Sequence, residues 1–501
     1  MRTQKTYLSL TIGPIYGTIQ NAKKVRELFG ASYFFSWFMR HLLKELRQSN
    51  EIDIAVPYIG QKAELLDRSR EIGFFHDRFV ATSSLSVDEA KTALQKAIDK
   101  AIDTCANEIN DKLITPEALR EYLVIHPLVV ESRTLKNVDK NPLIAIDKLL
   151  DAKELRYPFS PTPLRTFTYK CTPEEAKIFD TPKVEDLSPV NLFGYKIHQI
   201  KSRIGLDINS FKSTHDLAKE NSYFVVVTAD GDKMGSKVKE LMGEEGNIDN
   251  IRSLSKNLYR FFFEGMDIRT LTNDTYGGEL IYAGGDDILA LLPVRRGDKT
   301  FLDYLDDLSD RFKAIVGEDV SLSFGVNIVY EKYPMKKAIS EAFDLLHEAK
   351  AWGERPNIAK IQLVKHSGQK YDTIHALNEE AFDTLNNLIK GTLAHKARKT
   401  AKEPCDHQSA SPCFELPHAV HHTLDLYKGA IIQTLKEDRD LKAYFQKIFD
   451  DARTDSQQIG LEYLREHIET LHPTSKEEYN RLFGDLNIVK FLRGDRDDLS
   501  A

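Results

Sequence analysis

The sequence has few cysteines and no pattern that uses them together. Only four occur in 501 residues, at Cys105, Cys171, Cys405 and Cys413, and none belongs to a Cys-x-x-Cys pair. This usage excludes the disulfide framework of small secreted domains. The first residues do not form a signal peptide, and no apolar run reaches the ~18–20 residues that a membrane-spanning helix needs. We therefore expect a cytoplasmic protein with no membrane partner.

A strong net charge is also missing. The 69 Lys and Arg residues and 76 Asp and Glu residues give a formal charge of -7, which argues against nucleic-acid binding through bulk positive charge. The distribution is uneven, because residues 1–50 carry eight basic and two acidic side chains. This basic segment indicates either a solvated helix face or a contact with a phosphate backbone or an acidic partner.

Two parts of the chain show the same predicted order of elements. Within 1–131 and again within 221–370, the patterning predicts strand, helix, two strands, helix and strand, which is the order of a ferredoxin-like domain. The proline-rich residues 132–220 are predicted to form a mostly helical connecting insert, and 371–501 a C-terminal helical bundle without strands. We therefore predict an α+β protein with two ferredoxin-like domains.

Two local features refine the prediction for the first domain. Residues 17–48 have helical spacing, with a predicted break near Gly30. Ser86 precedes Glu89 by three residues, which is the spacing of a capping box at the start of a helix over 86–112.

A buried strand predicted over 223–230 ends at a pair of aspartates. The strand end and the helix start that follows are formed by Asp230, Gly231, Asp232, Lys233, Met234 and Gly235. A carboxylate at the end of a buried strand is costly unless it is paired or binds a cation. The free amides of a helix N-terminus suit a phosphate group. The alternative interpretation is a simple turn with an N-cap aspartate.

The second acidic motif is a tight turn between two predicted strands. Gly284 and Gly285 permit the turn, and Asp286 and Asp287 follow at its tip. The first strand of a ferredoxin-like sheet lies beside this hairpin, so we expect Asp230 close by. Three converging carboxylates repel one another unless Mg²⁺ or Mn²⁺ is bound, as in sites that activate a 3′-hydroxyl and release pyrophosphate. A plain surface turn is the alternative.

Together these motifs resemble the palm superfamily of nucleotidyl cyclases and diguanylate cyclases. The stretch from Glu341 to Lys350 resembles the last helix of that superfamily, in which a lysine reaches the triphosphate. The resemblance therefore implies a phosphate contact for Lys350, whereas an ordinary exposed lysine is the alternative.

A closer resemblance is to the large palm-domain subunit of type III-B (Cmr-type) CRISPR–Cas effector complexes. Residues 12–15 and 32–36 resemble the start of its first palm, and 230–235 and 284–287 match its second palm. The resemblance implies an ATP-consuming nucleotidyltransferase that target RNA, paired to a guide RNA, activates within a complex of several protein subunits. Its usual product is a cyclic oligoadenylate.

The resemblance also implies roles for individual residues. Asp286 and Asp287 would be catalytic and, with Asp230, would hold Mg²⁺ or Mn²⁺. The nucleotides would lie between the palms, bound by Gly231, Asp232, Lys233, Met234, Gly235, Gly284, Gly285, Lys350 and, from the first palm, Ser36.

Several family features are missing. The first palm has no carboxylate at the end of its first strand, and Asp53 and Asp77 stand isolated, so we expect a degenerate palm that holds a nucleotide or supports the fold. We expect no HD nuclease domain, because the first strand begins near residue 5. The zinc ribbon is expected to be lost, since Cys171, with Cys105 at most, remains for it.

Three alternatives remain open on the sequence. The same metal site would also serve an enzyme that joins ATP to S-adenosylmethionine. A scaffold that only binds RNA and neighbouring subunits, or a stand-alone cyclase, would keep the fold. A cluster of cysteines and histidines over 405–422 indicates either a flexible polar loop or a metal site without standard spacing.

Overall fold

The computed structural model describes residues 5–67, 72–155, 187–206, 208, 211–243, 248–353, 355–402, 413–416, 420, 454–473 and 475–493. Cys171 and most of the cysteine and histidine cluster at 405–422 lie outside these residues. None of the described helices is both long and apolar enough to cross a membrane.

The first palm is a four-stranded sheet with helices on it. Its elements are β1 (Thr6–Gly13), α1 (Ile15–Ile19), α2 (Val25–Leu46), β2 (Ile52–Val56), β3 (Arg78–Ser83), α3 (Val87–Ile109), α4 (Pro116–Tyr122) and β4 (Val124–Glu131). The strand order is β2-β3-β1-β4, with β1 antiparallel to both β3 and β4. This confirms the predicted ferredoxin-like domain. The capping box of Ser86 and Glu89 begins α3 as predicted.

Helix α2 continues through Gly30, so the predicted break there is wrong. Gly30 lies where α2 meets the helix that carries Gly194. A Cβ atom on Gly30 would come within 2.5 Å of the Gly194 Cα, and a Cβ atom on Gly194 within 2.6 Å of the Glu27 carbonyl oxygen. The two glycines therefore allow a close approach of two helices, a role that local sequence cannot distinguish from a helix break.

The described part of the connecting insert is helical, as predicted. It consists of α5 (Ser132–Leu135), α6 (Pro142–Leu155), α7 (Pro189–Ile200) and α8 (Thr214–Leu217). Helix α6 packs on β4, and α7 packs along α2. The insert therefore lies on the first palm and connects it to the second.

The second palm repeats the topology in a larger sheet. Its elements are β5 (Tyr223–Asp232), α9 (Met234–Met242), α10 (Ile248–Phe263), a π-helical turn (Thr270–Thr275), β6 (Glu279–Gly284), β7 (Asp287–Pro293), the short strands β8 (Arg295–Arg296) and β9 (Lys299–Thr300), α11 (Phe301–Val316), β10 (Ser321–Tyr330), α12 (Met335–Ala351) and β11 (Ile358–Val364). The core order β10-β5-β7-β6 is again ferredoxin-like, and β11 extends the sheet parallel to β10. Strand β5 is buried along almost its whole length, as its unbroken apolar run predicts.

The C-terminal segment begins with a strand, which corrects the prediction that it has none. Strand β12 (Lys370–Ala376) pairs antiparallel with β11 and covers that edge of the sheet. Its apolar side chains pack with Trp352 in a small cluster of their own. The helices α13 (Glu380–Ala401), α14 (Asp455–Leu471) and α15 (Lys476–Arg493) follow, consistent with the predicted helical bundle.

The two palms share a continuous hydrophobic core. Helix α10 packs on β2, and α2 packs on β6. Phe74 of the first palm contacts Tyr259 and Phe263 of α10, with ring centroids 5.4 and 5.3 Å apart. Asp53 forms an ion pair with Arg252 across the same interface, so it is not isolated as the sequence suggested.

Candidate active site

The acidic residues of the second palm meet at one edge of its sheet. Strand β5 pairs with β7 on one side and with β10 on the other, and this registers its end against the turn at 284–287. The carboxyl groups of Asp230 and Asp286 come within hydrogen-bonding reach of each other. Asp287 follows at the tip and keeps an exposed surface. The structure therefore brings Asp230 and Asp286 into contact and places Asp287 close enough to feel the charges of both.

Burial and mutual repulsion raise the pKa values of two of these carboxyl groups, Asp286 and Asp287. Desolvation by the surrounding protein, together with the charge of Asp230, raises the pKa of Asp286 to about 7. Desolvation and the charges of Asp286, Asp230 and Asp77 raise the pKa of Asp287 well above its ordinary value. Both shifts follow from placing like charges together in partly desolvated surroundings, which a bound cation would relieve.

One cationic side chain reaches this cluster. The ammonium group of Lys350, in the last turn of α12, pairs with the Asp230 carboxylate and donates a hydrogen bond to the Gly231 carbonyl oxygen at 3.0 Å. Lys350 is only partly exposed, so it is not the freely solvated helical lysine of the alternative interpretation. It supplies a single positive charge against several carboxylates.

The donor atoms are of the kind that bind a hard divalent cation. Carboxylate oxygens of Asp230, Asp286 and Asp287 and the Gly231 carbonyl oxygen lie at one edge, and Mg²⁺ and Mn²⁺ prefer such oxygen ligands. In the described part of the chain, no three acidic, histidine or cysteine side chains are already arranged around a common metal position. The set fits such an ion in chemistry, and Lys350 engages two of the same oxygen-bearing groups.

Two glycines are required by this close packing. A Cβ atom on Gly231 would lie 2.6 Å from the Asp286 Oδ2 atom. Gly285 has a φ of +67°, and a Cβ atom there would lie 2.6 Å from the His76 ring. A side chain at Gly231 would push against the Asp286 side chain, and one at Gly285 would push against the His76 ring and strain the backbone.

The Asp232 carboxylate is buried away from the other acidic groups. It accepts hydrogen bonds from the Ser321 hydroxyl at 2.6 Å, the Ser323 hydroxyl at 2.8 Å and the Asn357 backbone N–H at 2.9 Å. These donors come from β10 and from the loop before β11. The arrangement fastens the end of β5 to its neighbours, and the sequence offered no signal for it, because the partners lie about 90 to 125 residues away.

The helix start after Asp232 faces open space in part. Lys233 adopts a left-handed conformation with φ of +59° and leads into α9. A Cβ atom on Gly235 would meet no atom within 4 Å, whereas Met234 packs against Gly231. Of the predicted phosphate-binding residues 233–235, Gly235 therefore faces open space, whereas the Met234 side chain is packed against β5.

The first palm contributes a segment that sequence reasoning missed. His76 lies against Gly285, and Asp77 is close enough for its charge to raise the pKa of Asp287 and, together with burial, that of Tyr282. Asp77 is therefore not isolated. Burial lowers the pKa of His76 to about 4, so its imidazole is neutral near neutral pH. A signal was available, since both Asp77 and Asp286 directly precede the third strand of their palms.

Ser36 lies behind this segment. Its hydroxyl accepts a hydrogen bond from the Phe75 amide at 2.7 Å, and the side chain is buried. The structure therefore places Ser36 inside the first palm, beside residues 72–75, and not among the carboxylates.

Comparisons with known proteins identify relatives of both palms. Residues 223–359 match the family model described as Cas10/Cmr2, second palm domain, and residues 7–134 match that of the CRISPR-associated protein Cmr2, N-terminal. The chain is 30% identical over 179 residues to the CRISPR system Cmr subunit Cmr2 of Pyrococcus furiosus, a match that covers 31% of this chain and 20% of that protein. The match thus spans a fifth of that relative's length.

Two solved structures share the fold over nearly the whole chain. One is the type III-B Cmr-beta complex bound to cognate target RNA, with a TM-score of 0.56 and 12% identity, covering 98% of this chain and 83% of that chain. The other is the Csm1-Csm4 cassette in complex with cA3, with a TM-score of 0.51 and 12% identity, covering 97% of this chain and 69% of that chain. At this identity the likeness shows the fold alone.

Proposed function

Because the chain belongs to the Cas10/Cmr2 family, we propose that it is a nucleotidyltransferase that converts ATP into a cyclic oligoadenylate within a type III-B CRISPR effector complex. The observation that carries the proposal is the convergence of Asp230 with Asp286 and Asp287 beside the ammonium group of Lys350. Support comes from the fold shared with the Csm1-Csm4 cassette, which was solved in complex with cA3.

The three carboxylates are proposed to hold Mg²⁺ or Mn²⁺, with the Gly231 carbonyl oxygen as a further ligand. When bound, the metal supplies positive charge for activating a ribose 3′-hydroxyl and for balancing the phosphates. Asp286 and Asp287 fix the position of the reacting groups, and Asp230 completes the set from the neighbouring strand. The raised pKa values of Asp286 and Asp287 describe the site before a cation is bound.

The other predicted residues are proposed to hold the nucleotides. Lys350 would leave Asp230 for the triphosphate once a cation neutralises that carboxylate. The open start of α9, with Lys233 and Gly235, offers amides to phosphate oxygens, and Gly284 keeps the turn narrow. Asp232 is proposed to position the end of β5, since its carboxylate already accepts three hydrogen bonds.

The reaction joins two nucleotides and releases pyrophosphate. The 3′-oxygen of one nucleotide bonds to the α-phosphorus of the other, and the bond from that phosphorus to the bridging oxygen of the β-phosphate breaks. The hydroxyl proton passes to a site carboxylate or to water. Repetition of this step, followed by ring closure, yields a cyclic product. We propose that the first palm holds one of the nucleotides, and that Ser36 supports this contact from behind through its hydrogen bond with the Phe75 backbone amide.

The proposed partners are other protein subunits of the complex, a guide RNA and a target RNA. Support comes from the fold shared with the Cmr-beta complex, which was solved with cognate target RNA. Part of the basic N-terminal segment is already engaged within the chain, since Lys44 pairs with Asp67. Lys23 and Lys24 lie exposed at the start of α2 and are the better candidates for an acidic partner.

The test is product analysis on the assembled complex. The chain is combined with its partner subunits, guide RNA and target RNA, then supplied with ATP and Mg²⁺, with and without S-adenosylmethionine. Mass spectrometry should detect cyclic oligoadenylate that depends on target RNA. The double variant Asp286→Ala/Asp287→Ala should make none, whereas Asp88→Ala, an exposed aspartate on α3, should behave as wild type.

Two outcomes would contradict the proposal. Undiminished product from the double variant would remove the acidic turn from the reaction. A product that contains the S-adenosylmethionine moiety would keep the site and replace the proposed chemistry by conjugation.

A further inference from the structure

Residues 73–77 of the first palm, which lead into β3, cover the Gly-Gly-Asp-Asp turn of the second palm at 284–287, called here the acidic turn. The turn that precedes β3 presents His76 to Gly285, so closely that a Cβ atom on Gly285 would lie 2.6 Å from both Nδ1 and Cε1 of the imidazole. The Phe74 carbonyl oxygen lies 3.1 Å from the position that a Cβ atom on Gly284 would take. Both glycines of the turn are thus in contact with the other palm.

The covering segment, residues 73–77, is itself held at several points. On its first-palm side, the Phe75 amide donates to the Ser36 hydroxyl at 2.7 Å, and the Asp77 carbonyl oxygen accepts from the Ile12 amide at 3.1 Å. On its other side, the Phe74 ring packs between aromatic rings of α10. His76 is therefore presented by a segment with little freedom to move.

The acidic turn is confined between this segment and β5. On the inner side, Asp286 lies against Gly231, whose absent Cβ atom would fall 2.9 Å from the Asp286 Cβ atom. On the outer side, the His76 ring lies against Gly285, the residue before Asp286. A turn that relaxed outward would carry Asp286 away from Asp230, and catalytic geometry tolerates displacements of only ~0.5 Å.

We infer that His76 is a positioning residue, whose ring packs on Gly285 and holds the acidic turn of the second palm against β5. The first palm has no Gly-Gly-Asp-Asp sequence of its own, and by this contact it contributes to the geometry of the turn in its neighbour. The catalytic meaning of the inference rests on the proposed function, whereas the packing effect can be measured without any activity.

The primary test is hydrogen–deuterium exchange on the full chain without nucleotide or metal. In His76→Ala, exchange in peptides covering 279–293 should rise by about 10-fold or more, since the turn loses its outer support. In His76→Phe, which keeps a planar ring, exchange there should stay close to wild type. A peptide covering β11 should not change in either variant. His215→Ala serves as the matched control, because His215, like His76, directly precedes an aspartate but is largely exposed.

The second readout is steady-state kinetics of the assembled complex. We expect His76→Ala to lower kcat by about 10- to 100-fold, as loss of an outer supporting group does, with KM for ATP nearly unchanged. His76→Phe should recover most of kcat.

Three results for the His76 variants would overturn the positioning role of His76, and one result for the wild-type complex would overturn the proposed function. Unchanged exchange at 279–293 in His76→Ala would overturn the inference, and so would a rise spread over all peptides, which would indicate a merely structural residue. A His76→Phe variant as defective as His76→Ala would also overturn it, because the ring nitrogens and not the packing would then matter. Absence of product from the wild-type complex would overturn the proposed function and leave the exchange result to decide on His76.

Discussion

Lys350 donates a 3.0 Å hydrogen bond to the carbonyl oxygen of Gly231 while its ammonium group pairs with the Asp230 carboxylate of the same strand end. This side chain therefore bridges the main chain and a carboxylate at the point where β5 meets the acidic turn. A cation that bound these oxygens would displace the ammonium group, because like charges repel at such distances. The displaced Lys350 would then be free to pair with a phosphate.

Replacement of Lys350 should separate activity from folding. Because Lys350→Ala removes the only charge proposed to move from a carboxylate to the triphosphate, we expect kcat/KM for ATP to fall by about 100-fold. The unfolding midpoint should change little, since the side chain is partly exposed. Lys337→Ala, at the exposed start of the same helix, is the control and should keep wild-type kinetics. Wild-type kinetics in Lys350→Ala would exclude the phosphate contact.

Asp230 and Asp232, two residues apart, should respond in opposite ways to the same substitution. Asp232→Ala leaves two hydroxyls and one amide without their buried acceptor, and we expect the free energy of unfolding to fall by about 3 kcal/mol. Asp230→Ala removes a partly exposed carboxylate from a repelling cluster, so stability should be nearly unchanged while product formation is lost. Urea unfolding and the product assay measure the two effects. A stable and inactive Asp232→Ala would contradict the positioning role.

The parts of the fold that local patterning controls could be predicted from the sequence. The continuous apolar run of β5 and the Gly-Gly turn each carry their own conformational signal, and the ferredoxin-like order then implied that Asp230 approaches Asp286. The capping box at Ser86 is likewise a property of four neighbouring residues. These features needed no knowledge of distant contacts.

The rest depends on partners far away in the chain. Asp232 resembles Asp230 in sequence, and its hydrogen bonds with Ser321, Ser323 and Asn357, which lie in other elements, distinguish the two. Gly30 is typical of a helix break in sequence, and only its contact with Gly194 of α7 explains why α2 continues through it. The contact of His76 with Gly285 joins two domains, so no single-domain pattern contains it. Strand β12 was missed because its pairing edge is supplied by β11.

Helix α12 packs so closely on Gly325 of β10 that we expect no side chain to be tolerated there. A Cβ atom on Gly325 of β10 would come within 2.5 Å of the Leu346 amide nitrogen and into contact with the Ala342 carbonyl oxygen, both backbone atoms. Gly325→Ala should therefore lower the free energy of unfolding by about 1–3 kcal/mol, through overpacking. Because α12 carries Lys350, its shift should also reduce activity.

Thermal unfolding can check the effect of Gly325→Ala against a matched change. Gly235→Ala places the same methyl group where no atom lies within 4 Å, so its unfolding midpoint should match wild type or exceed it. Equal midpoints for the two variants would show that α12 can move away without cost.

A buried histidine–aspartate network should make the attachment of the C-terminal helices sensitive to acid. Asp485 of α15 pairs with His375 of β12 at 2.9 Å and with His467 of α14 at 3.1 Å, all without solvent exposure. Burial alone would raise the pKa of Asp485, but the two histidines outweigh it and hold that pKa well below its usual range.

This lowered pKa makes the stability of the fold depend on pH. A carboxyl whose pKa is lowered in the folded state stabilises the fold at pH values above its unfolded-state pKa of ~3.9, and this contribution is lost as the pH falls further. Asp485→Asn should therefore cost about 3–5 kcal/mol near neutral pH, with the difference from wild type narrowing below a pH of about 4. Urea unfolding of both proteins over this pH range measures the gap, and a gap that widened on acidification would contradict the assignment.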